Sequence, residues 1–299
     1  MRISILTFLT IALLSLASCA SDEPAVGEGS GLLTFSVTVP EAMATRAAGD
    51  GAAANDLRVV VFDKGGKLLF VQQEDDIFAD SNTAQVTIKL VNGESYIVAF
   101  WVDDNYLYEI DPSTGHVAMG YASGNLLANL DSRDAFYAMR RVVVQPNSLS
   151  QSITLNRPFA QLNLFASDYD YVSNNLGKEL GKTSLKVVGS VYEEMSLATG
   201  QVLGEPVDAE FGMNDIPAQS AGDAGAYAWL SMNYLLVDEA GGTLNSIELT
   251  TDYGASTTIS TSIPLKRNFR TNITGDLLTD LSRWDVAVDG NMQGENIIE

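Results

Sequence analysis

Apolar and polar residues alternate along most of the chain. In residues 32–39, LLTFSVTV, the side chains of Leu33, Phe35, Val37 and Val39 fall on one side, whereas threonine and serine fall on the other. A period of two predicts a β-strand with one buried face. Similar runs recur to the end of the chain, for example LRVVVFD, AQVTIKLV, SYIVAFWV, AQLNLFA, YAWLSMNYLLV and RTNITGDL. The chain is therefore predicted to be all-β.

The spacing of these runs indicates antiparallel sheets. Glycine- and asparagine-rich turns separate neighbouring runs, and only the stretches near residues 124–133 and 170–182 could form short helices. This pattern is typical of antiparallel β-sandwiches. We predict two sandwich domains in tandem, over residues 47–150 and 151–299, divided at the polar stretch VQPNSLSQ. One larger sandwich with a bulged corner at that stretch is the alternative.

Residues 1–18 have the pattern of a signal peptide. The apolar run over residues 3–16 follows Arg2 and is shorter than a membrane-spanning helix requires. Residues 16–18, Leu-Ala-Ser, resemble the bacterial lipobox and precede Cys19, the only cysteine in the chain. A lone cysteine cannot form a disulfide within the chain. We predict that Cys19 carries lipid and anchors the chain in an outer membrane; an ordinary signal peptide with an incidental cysteine is the alternative.

The residues after Cys19 and the overall charge narrow the location and the partners. Asp22 and Glu23 resemble the acidic surface-export signals of Bacteroidetes lipoproteins. The chain has 17 basic and 38 acidic residues, a formal net charge of −21. Such a surface repels phosphate backbones, which bind to basic patches. We predict a cell-surface protein that does not bind nucleic acid.

Residues that could support catalysis or bind a metal are sparse. His116 is the only histidine, so a Ser-His-Asp arrangement would depend on one loop residue. The acidic pairs Asp103 with Asp104 and Asp168 with Asp170 could act as glycosidase carboxylates or calcium ligands, but solvated loop charges are the favoured explanation. The sequence contains no glycine-rich phosphate loop or CxxC motif. We predict no enzymatic activity and no cofactor.

The segment from Pro40 to Asp56, PEAMATRAAGDGAAAND, is rich in small residues, and Arg46 is its only basic residue. Exposed loop segments of this kind are preferred sites of proteolysis, because an extended backbone must enter the protease cleft. An exposed arginine in such a stretch suits a trypsin-like protease, which would cut between Arg46 and Ala47. These residues by themselves favour the other interpretation, a mobile loop after the first strand.

Several segments together resemble one protein family. The lipobox, the LLTFSVTV strand, TRAAGD (residues 45–50) and the core strand after it follow the order of the Bacteroidales fimbrillins, the FimA-type and Mfa-type subunits of type V pili. LNRPFAQLNLF (residues 155–165) resembles the strand that opens their second domain. LKRNFRTNITGDL (residues 265–277) resembles one of their late strands.

The resemblance implies two transthyretin-like sandwich domains and a lipoprotein precursor that is cut after Arg46. The propeptide, residues 19–46, would leave together with the lipid and the first strand. An apolar groove with unpaired backbone groups would then accept a strand from another pilus subunit. Before the cut, Leu33, Phe35, Val37 and Val39 would fill this groove. The implied locations are the outer membrane and the fimbrium.

The C-terminal stretch RWDVAVDGNMQGENIIE is the candidate donor strand. Trp284, Val286 and Val288 fall on one face of a period-two pattern, and a polar tail follows them. The final strand of its own domain is an equally good interpretation.

A second class of function remains open at this stage. An uncut outer-membrane lipoprotein, or a pilus anchor, could bind glycans or host proteins through its loops. Trp101, Tyr106 and Tyr108, in the aromatic stretch FWVDDNYLYEID, are the candidates for stacking on sugars, although they could also pack in the sandwich.

Overall fold

The computed structural model describes residues 29–40, 53–146, 149–218, 227–279 and 283–289. These residues form twenty β-strands and one α-helix, α1 (Tyr169–Leu176). In chain order the strands are β1 (Ser30–Thr38), β2 (Asp56–Asp63), β3 (Leu68–Glu74), β4 (Thr83–Val91), β5 (Ser95–Asp103), β6 (His116–Ala118), β7 (Leu126–Leu127), β8 (Phe136–Val143), β9 (Leu149–Thr154), β10 (Phe159–Ala166), β11 (Lys182–Gly189), β12 (Glu194–Ser196), β13 (Val202–Leu203), β14 (Ala209–Asp215), β15 (Ala228–Leu236), β16 (Gly242–Thr251), β17 (Ser256–Ile259), β18 (Ile263–Leu265), β19 (Arg270–Gly275) and β20 (Trp284–Asp289). The all-β prediction is confirmed.

The strands of the described ranges pair into five sheets. Sheet I has the order β4-β1-β9, sheet II β3-β2-β5-β8, and sheet III β15-β10-β19-β20. Sheet IV has the order β17-β16-β11-β14-β7, with β18 also paired to β16, and the small sheet V is β13-β12-β6. Most pairs are antiparallel, as predicted, but β1 with β9, β10 with β19 and β7 with β14 are parallel.

The first hydrophobic core lies between sheets I and II. Strand β1 contributes Leu33, Phe35 and Val37, and these side chains belong to one buried cluster with those of β4, β2 and β5. The rings of Phe35 and Phe100 meet edge to face, with centroids 4.8 Å apart. Side chains from facing sheets therefore interdigitate, as is usual in a β-sandwich.

The second core lies between sheets III and IV and also against the other face of sheet II. Val59 and Val61 of β2 belong to the first core, whereas their neighbours Val60 and Phe62 belong to the second. Strands β2 and β5 are thus buried on both faces. This explains why their sequences are continuous apolar runs rather than alternating ones.

The two halves of the chain interlock, so the structure differs from the predicted division at residues 150 and 151. That division falls inside β9, which pairs with β1, and Ile153 belongs to the first core. Conversely, residues 104–135 lie in the predicted N-terminal domain, yet β6 pairs with β12 and β7 pairs with β14. The long segment between β5 and β8, residues 104–135, therefore contributes strands to two sheets of the second half.

A buried ion pair lies where the chain passes from one half to the other. The Nε of Arg157 lies 2.8 and 2.7 Å from the two carboxylate oxygens of Asp134, and both side chains are buried. The guanidinium also lies over the ring of Phe136, 4.6 Å from its centroid. Burial alone would lower the pKa of Arg157, but the Asp134 carboxylate raises it, so the guanidinium stays charged.

Candidate functional site

Strand β1 is the central strand of sheet I. Each of its residues from Ser30 to Thr38 is paired antiparallel with a residue of β4. Leu33 to Thr38 are also paired, in parallel, with β9. Among the described residues, all the other strands follow β1 in the chain, beyond residue 53. The covalent link between β1 and the rest of the protein therefore runs through residues 41–52.

The inward face of β1 fills the space above sheet II. Leu33, Phe35 and Val37 are at most 1% exposed, and Val39 is 6% exposed. Burying side chains of this size contributes about 1.5–3 kcal/mol each before conformational entropy is subtracted. The inner face of β1 is therefore a large part of what stabilises the first sandwich.

The outward face of β1 carries polar contacts to β4. The hydroxyls of Thr34 and Thr87 lie 2.9 Å apart, and those of Thr38 and Thr83 lie 3.0 Å apart. Cross-strand threonine pairs of this kind contribute less than the buried apolar side chains of the inner face. The outward face therefore adds polar cross-strand contacts, whereas the inner face supplies the core.

Strands β4 and β9 are joined through β1. Within the described ranges, sheet I consists of these three strands, and β1 lies between the other two. The chain after β9 also depends on β1, because the amide of Leu155 donates to the carbonyl oxygen of Thr38 at 2.9 Å. Without β1, a row of backbone donors and acceptors on both β4 and β9 would lose its partners.

The predicted lipidation and cleavage residues, Cys19, Arg46 and Ala47, lie outside the described residues. Inside the described ranges, no helix combines the length and the apolar character needed to span a membrane.

The C-terminal candidates lie on β20, the edge strand of sheet III. This strand pairs antiparallel with β19 along its whole length. Trp284 and Val286 are partly buried against the second core, whereas Val288 is 39% exposed. In this structure, β20 thus occupies a place in its own half of the molecule and has one neighbouring strand.

Only one of the three aromatic candidates for sugar binding is accessible. Trp101 and Tyr108 are buried in the second core, with ring centroids 5.6 Å apart, so the suggestion that they stack on sugars is wrong. Tyr106 is partly buried, and its hydroxyl donates to Asp75. It lines a cleft of about 440 Å³. The other lining residues are Asn55, Asp56, Asp75, Asp76, Asp104 and Asn105.

The acidic pairs are mainly structural. Asp103 is buried and accepts from Arg58 at 2.6 Å. Asp168 is also buried and accepts from the backbone amides of Leu277 and Leu278. The favoured interpretation as solvated loop charges is therefore wrong for Asp103 and Asp168, whereas Asp170 is exposed, as that interpretation expects. The sequence carries no signal for these pairings, because each partner is distant along the chain.

The single histidine joins two strands of sheet V. The Nδ1 of His116 lies 3.0 Å from a carboxylate oxygen of Glu194, and both side chains are partly exposed. In the part of the chain that the structure describes, no three or more His, Cys, Asp or Glu side chains are grouped in a way that could hold a metal ion.

The fold is similar to several solved structures from Bacteroidales. One, from Bacteroides thetaiotaomicron VPI-5482, is described as "putative polysaccharide binding proteins (DUF1812)"; it is 14% identical, with a TM-score of 0.51, and the match covers 87% of this chain and 96% of that one. A "putative adhesin" from Bacteroides ovatus is 12% identical, with a TM-score of 0.51 and coverage of 82% and 89%.

The fimbrial anchor protein Mfa2 from Porphyromonas gingivalis is 12% identical, with a TM-score of 0.50 and coverage of 87% and 98%. At such identities these similarities concern the fold alone. A comparison with curated protein sequences finds no significant match. Residues 26–299 match the model of the family described as "Family of unknown function (DUF6562)", and the chain therefore belongs to that family.

Proposed function

We propose that this chain is a subunit of a cell-surface fimbria. Its precursor is exported as a lipoprotein acylated at Cys19, and an Arg-specific protease cuts between Arg46 and Ala47. Strand β1 then leaves, and a strand of another subunit takes its place. The observation that carries this proposal is that β1 is a central strand whose covalent link to the other strands runs through residues 41–52, which include Arg46.

The physical basis is the geometry of sheet I. A cut in residues 41–52 leaves β1 held by hydrogen bonds and apolar contacts alone. Its departure uncovers the facing edges of β4 and β9 and the apolar surface under Leu33, Phe35 and Val37. An added strand restores both the backbone hydrogen bonds and the burial. The similar folds of a fimbrial anchor protein and of a "putative adhesin" support this proposal.

The C-terminal strand is the proposed donor to a neighbouring subunit. Strand β20 lies at a sheet edge and is hydrogen-bonded to β19 on one side. It is therefore held by fewer backbone bonds than a central strand. Trp284, Val286 and Val288 would supply the apolar side chains that enter a neighbour's groove.

The test is the N-terminus and the assembly state of the protein taken from the cell surface. A cleaved subunit begins at Ala47 and forms ladders on mild detergent gels, whereas the uncut precursor keeps acylated Cys19 and runs as a monomer. Deleting residues 284–299 removes the ladders if β20 is the donor. Cleaved protein that stays monomeric at the cell surface, where the other subunits are present, would contradict the proposal. Ladders that survive the deletion contradict the donor assignment only.

The second candidate function is an uncut surface lipoprotein, or a pilus anchor, that binds glycans or host proteins. The cleft beside Tyr106 favours it, since carboxylate and amide side chains there surround one accessible aromatic ring. In that case the mature protein keeps Cys19, and Tyr106→Ala weakens binding to a glycan array. Tyr227→Ala is the control, because Tyr227 is an exposed tyrosine that does not line the cleft.

A further inference from the structure

The N-terminal end of β1 lies in a slot with no room for a side chain. A Cβ atom placed on Gly31 would lie 2.5 Å from Oδ1 of Asn92, 2.8 Å from the carbonyl oxygen of Gln145 and 2.8 Å from Cγ1 of Val144. Real Cβ atoms essentially never approach other heavy atoms within 3.0 Å. We call the surface formed by Asn92, Val144 and Gln145 the glycine slot.

The slot is narrow because sheets I and II are tied together at this end. The amide of Gly93, in the turn after β4, donates to the carbonyl of Val144 at 2.8 Å, and the amide of Val144, after β8, donates to the carbonyl of Glu94 at 3.0 Å. Backbone held in this way cannot move aside as the end of a flexible side chain can. The carbonyl of Gln145 therefore limits what fits opposite it.

Glycine is required at position 31 by space and not by backbone conformation. The φ angle of Gly31 lies outside the left-handed region, so any residue could adopt it. By contrast, the nearby Gly29 has a φ of 118° and an open position for a Cβ. The size limit at position 31 is thus set by the groove residues Asn92, Val144 and Gln145, and it applies to any strand that lies there.

We propose that the glycine slot selects the strand that replaces β1. The occupant is a strand of a different subunit that runs in the direction of β1 and carries glycine at the position of Gly31. Strand β20 of a second copy does not meet this rule, because Ser282 would stand in the place of Gly31 and Val286 in the place of Phe35. Three apolar side chains follow it at two-residue intervals, in the places of Leu33, Phe35 and Val37. The middle one is aromatic, because it meets the edge of the Phe100 ring. This inference rests on the proposed function and adds the rule by which the groove chooses its partner.

The experiment uses the full chain with the recognition sequence of a sequence-specific protease inserted between residues 46 and 47. The cut protein is unfolded in denaturant and refolded with an excess of a labelled peptide of residues 29–40, which competes with the chain's own β1. Three peptides are compared: the native sequence, Gly31→Ala, and Ser30→Ala as the control. Fluorescence anisotropy and gel filtration report the fraction of protein that holds the label.

We expect the native and Ser30→Ala peptides to exchange equally. The Gly31→Ala peptide should bind about tenfold more weakly or worse, since an extra methyl group in a tightly packed site forces the surroundings to shift. The protein is the same in every sample, so a folding defect cannot produce this difference.

The other outcomes separate the inference from the function on which it rests. Equal binding of the native and Gly31→Ala peptides overturns the selection by the glycine slot and leaves strand replacement intact. Refolded protein that accepts none of the peptides overturns strand replacement itself, and the inference falls with it.

Discussion

At the scale of single residues, burial and pairing decide how strongly a substitution at a salt bridge changes the free energy of unfolding. Arg157 and Asp134 are both almost fully buried and bound to each other, whereas Arg283 is 76% exposed in its pair with Asp276. A buried charge that loses its partner keeps the full cost of its desolvation, but an exposed charge is solvated by water. Two salt bridges of similar length therefore differ greatly in their importance for stability.

Replacing Asp134 with alanine should destabilise the protein by about 3–5 kcal/mol, because it removes the carboxylate that compensates the charge of the buried Arg157 guanidinium. Urea unfolding followed by circular dichroism measures this change. Arg283→Ala is the control and should change the free energy of unfolding by at most about 1 kcal/mol. Similar effects of the two substitutions would show that the Asp134 pair contributes no more than a surface pair.

A second prediction at the residue scale concerns lipidation. Cys19→Ala should abolish the incorporation of labelled fatty acid and release the protein from the outer membrane, because the thiol is the atom that would be acylated. Ser21→Ala, two residues further on, is the control and should leave the labelling unchanged. Equal labelling of the Cys19→Ala protein would contradict the anchor.

At the scale of single elements, β1 differs from the other strands in what depends on it. It supplies one face of the first core and also holds β4 and β9 in the same sheet. The edge strand β20, by contrast, is hydrogen-bonded to one strand of its sheet, β19. Loss of β1 should thus affect two neighbours at once, whereas loss of β20 should affect one.

Phe35→Ala should destabilise the uncut chain by about 3–5 kcal/mol, because it removes a fully buried ring and its contact with Phe100. Ser36→Ala, on the opposite face of β1, should change the free energy of unfolding by about 0.5 kcal/mol or less. Thermal and urea unfolding of the purified precursor provide the comparison. A Phe35→Ala protein as stable as the wild type would exclude the first core as the place of that side chain.

Release of β1 should increase hydrogen exchange at specific amides. After a cut between residues 46 and 47 and removal of β1, the amides of β9 and β4 lose their partners and should exchange faster. Those of β16, which pairs within sheet IV, should change little. Mass spectrometry of peptides from the two regions measures the difference. Protection of β9 that survives the loss of β1 would indicate that another strand or loop had taken its place.

At the scale of the whole molecule, the two halves are built into each other. The central strands β2 and β5 of sheet II are buried on both faces. In the segment between β5 and β8, β6 and β7 pair with strands of the second half. Neither core is complete without residues from the other half. The uncut molecule is therefore expected to unfold as a unit.

Calorimetry of the uncut chain should show one unfolding transition, with equal calorimetric and van't Hoff enthalpies, because the shared sheet couples the two cores. Deleting residues 116–127, which include β6 and β7, should lower the transition temperature of the whole chain. Two separate transitions, or a deletion that lowers only the first, would mean that the halves are independent.

The sequence by itself determined the strand content and the identity of the inward side chains of β1. Alternation over a strand fixes which side chains share a face, and this is a local property of the backbone. The sequence also predicted β2 and β5 as strands, from their short apolar runs. Those runs do not show that each strand packs against a core on both of its faces.

Only the tertiary structure decided which strands are neighbours and what lies against them. The central position of β1, the pairing of β9 with it, and the reach of β6 and β7 into the second half join residues far apart in the chain. The same holds for the glycine slot at Gly31, for the ion pair of Arg157 with Asp134, and for the burial of Trp101 and Tyr108. The two-residue period shows which side chains of one strand share a face. It does not show which strands become neighbours, because those contacts join residues that are far apart in the chain.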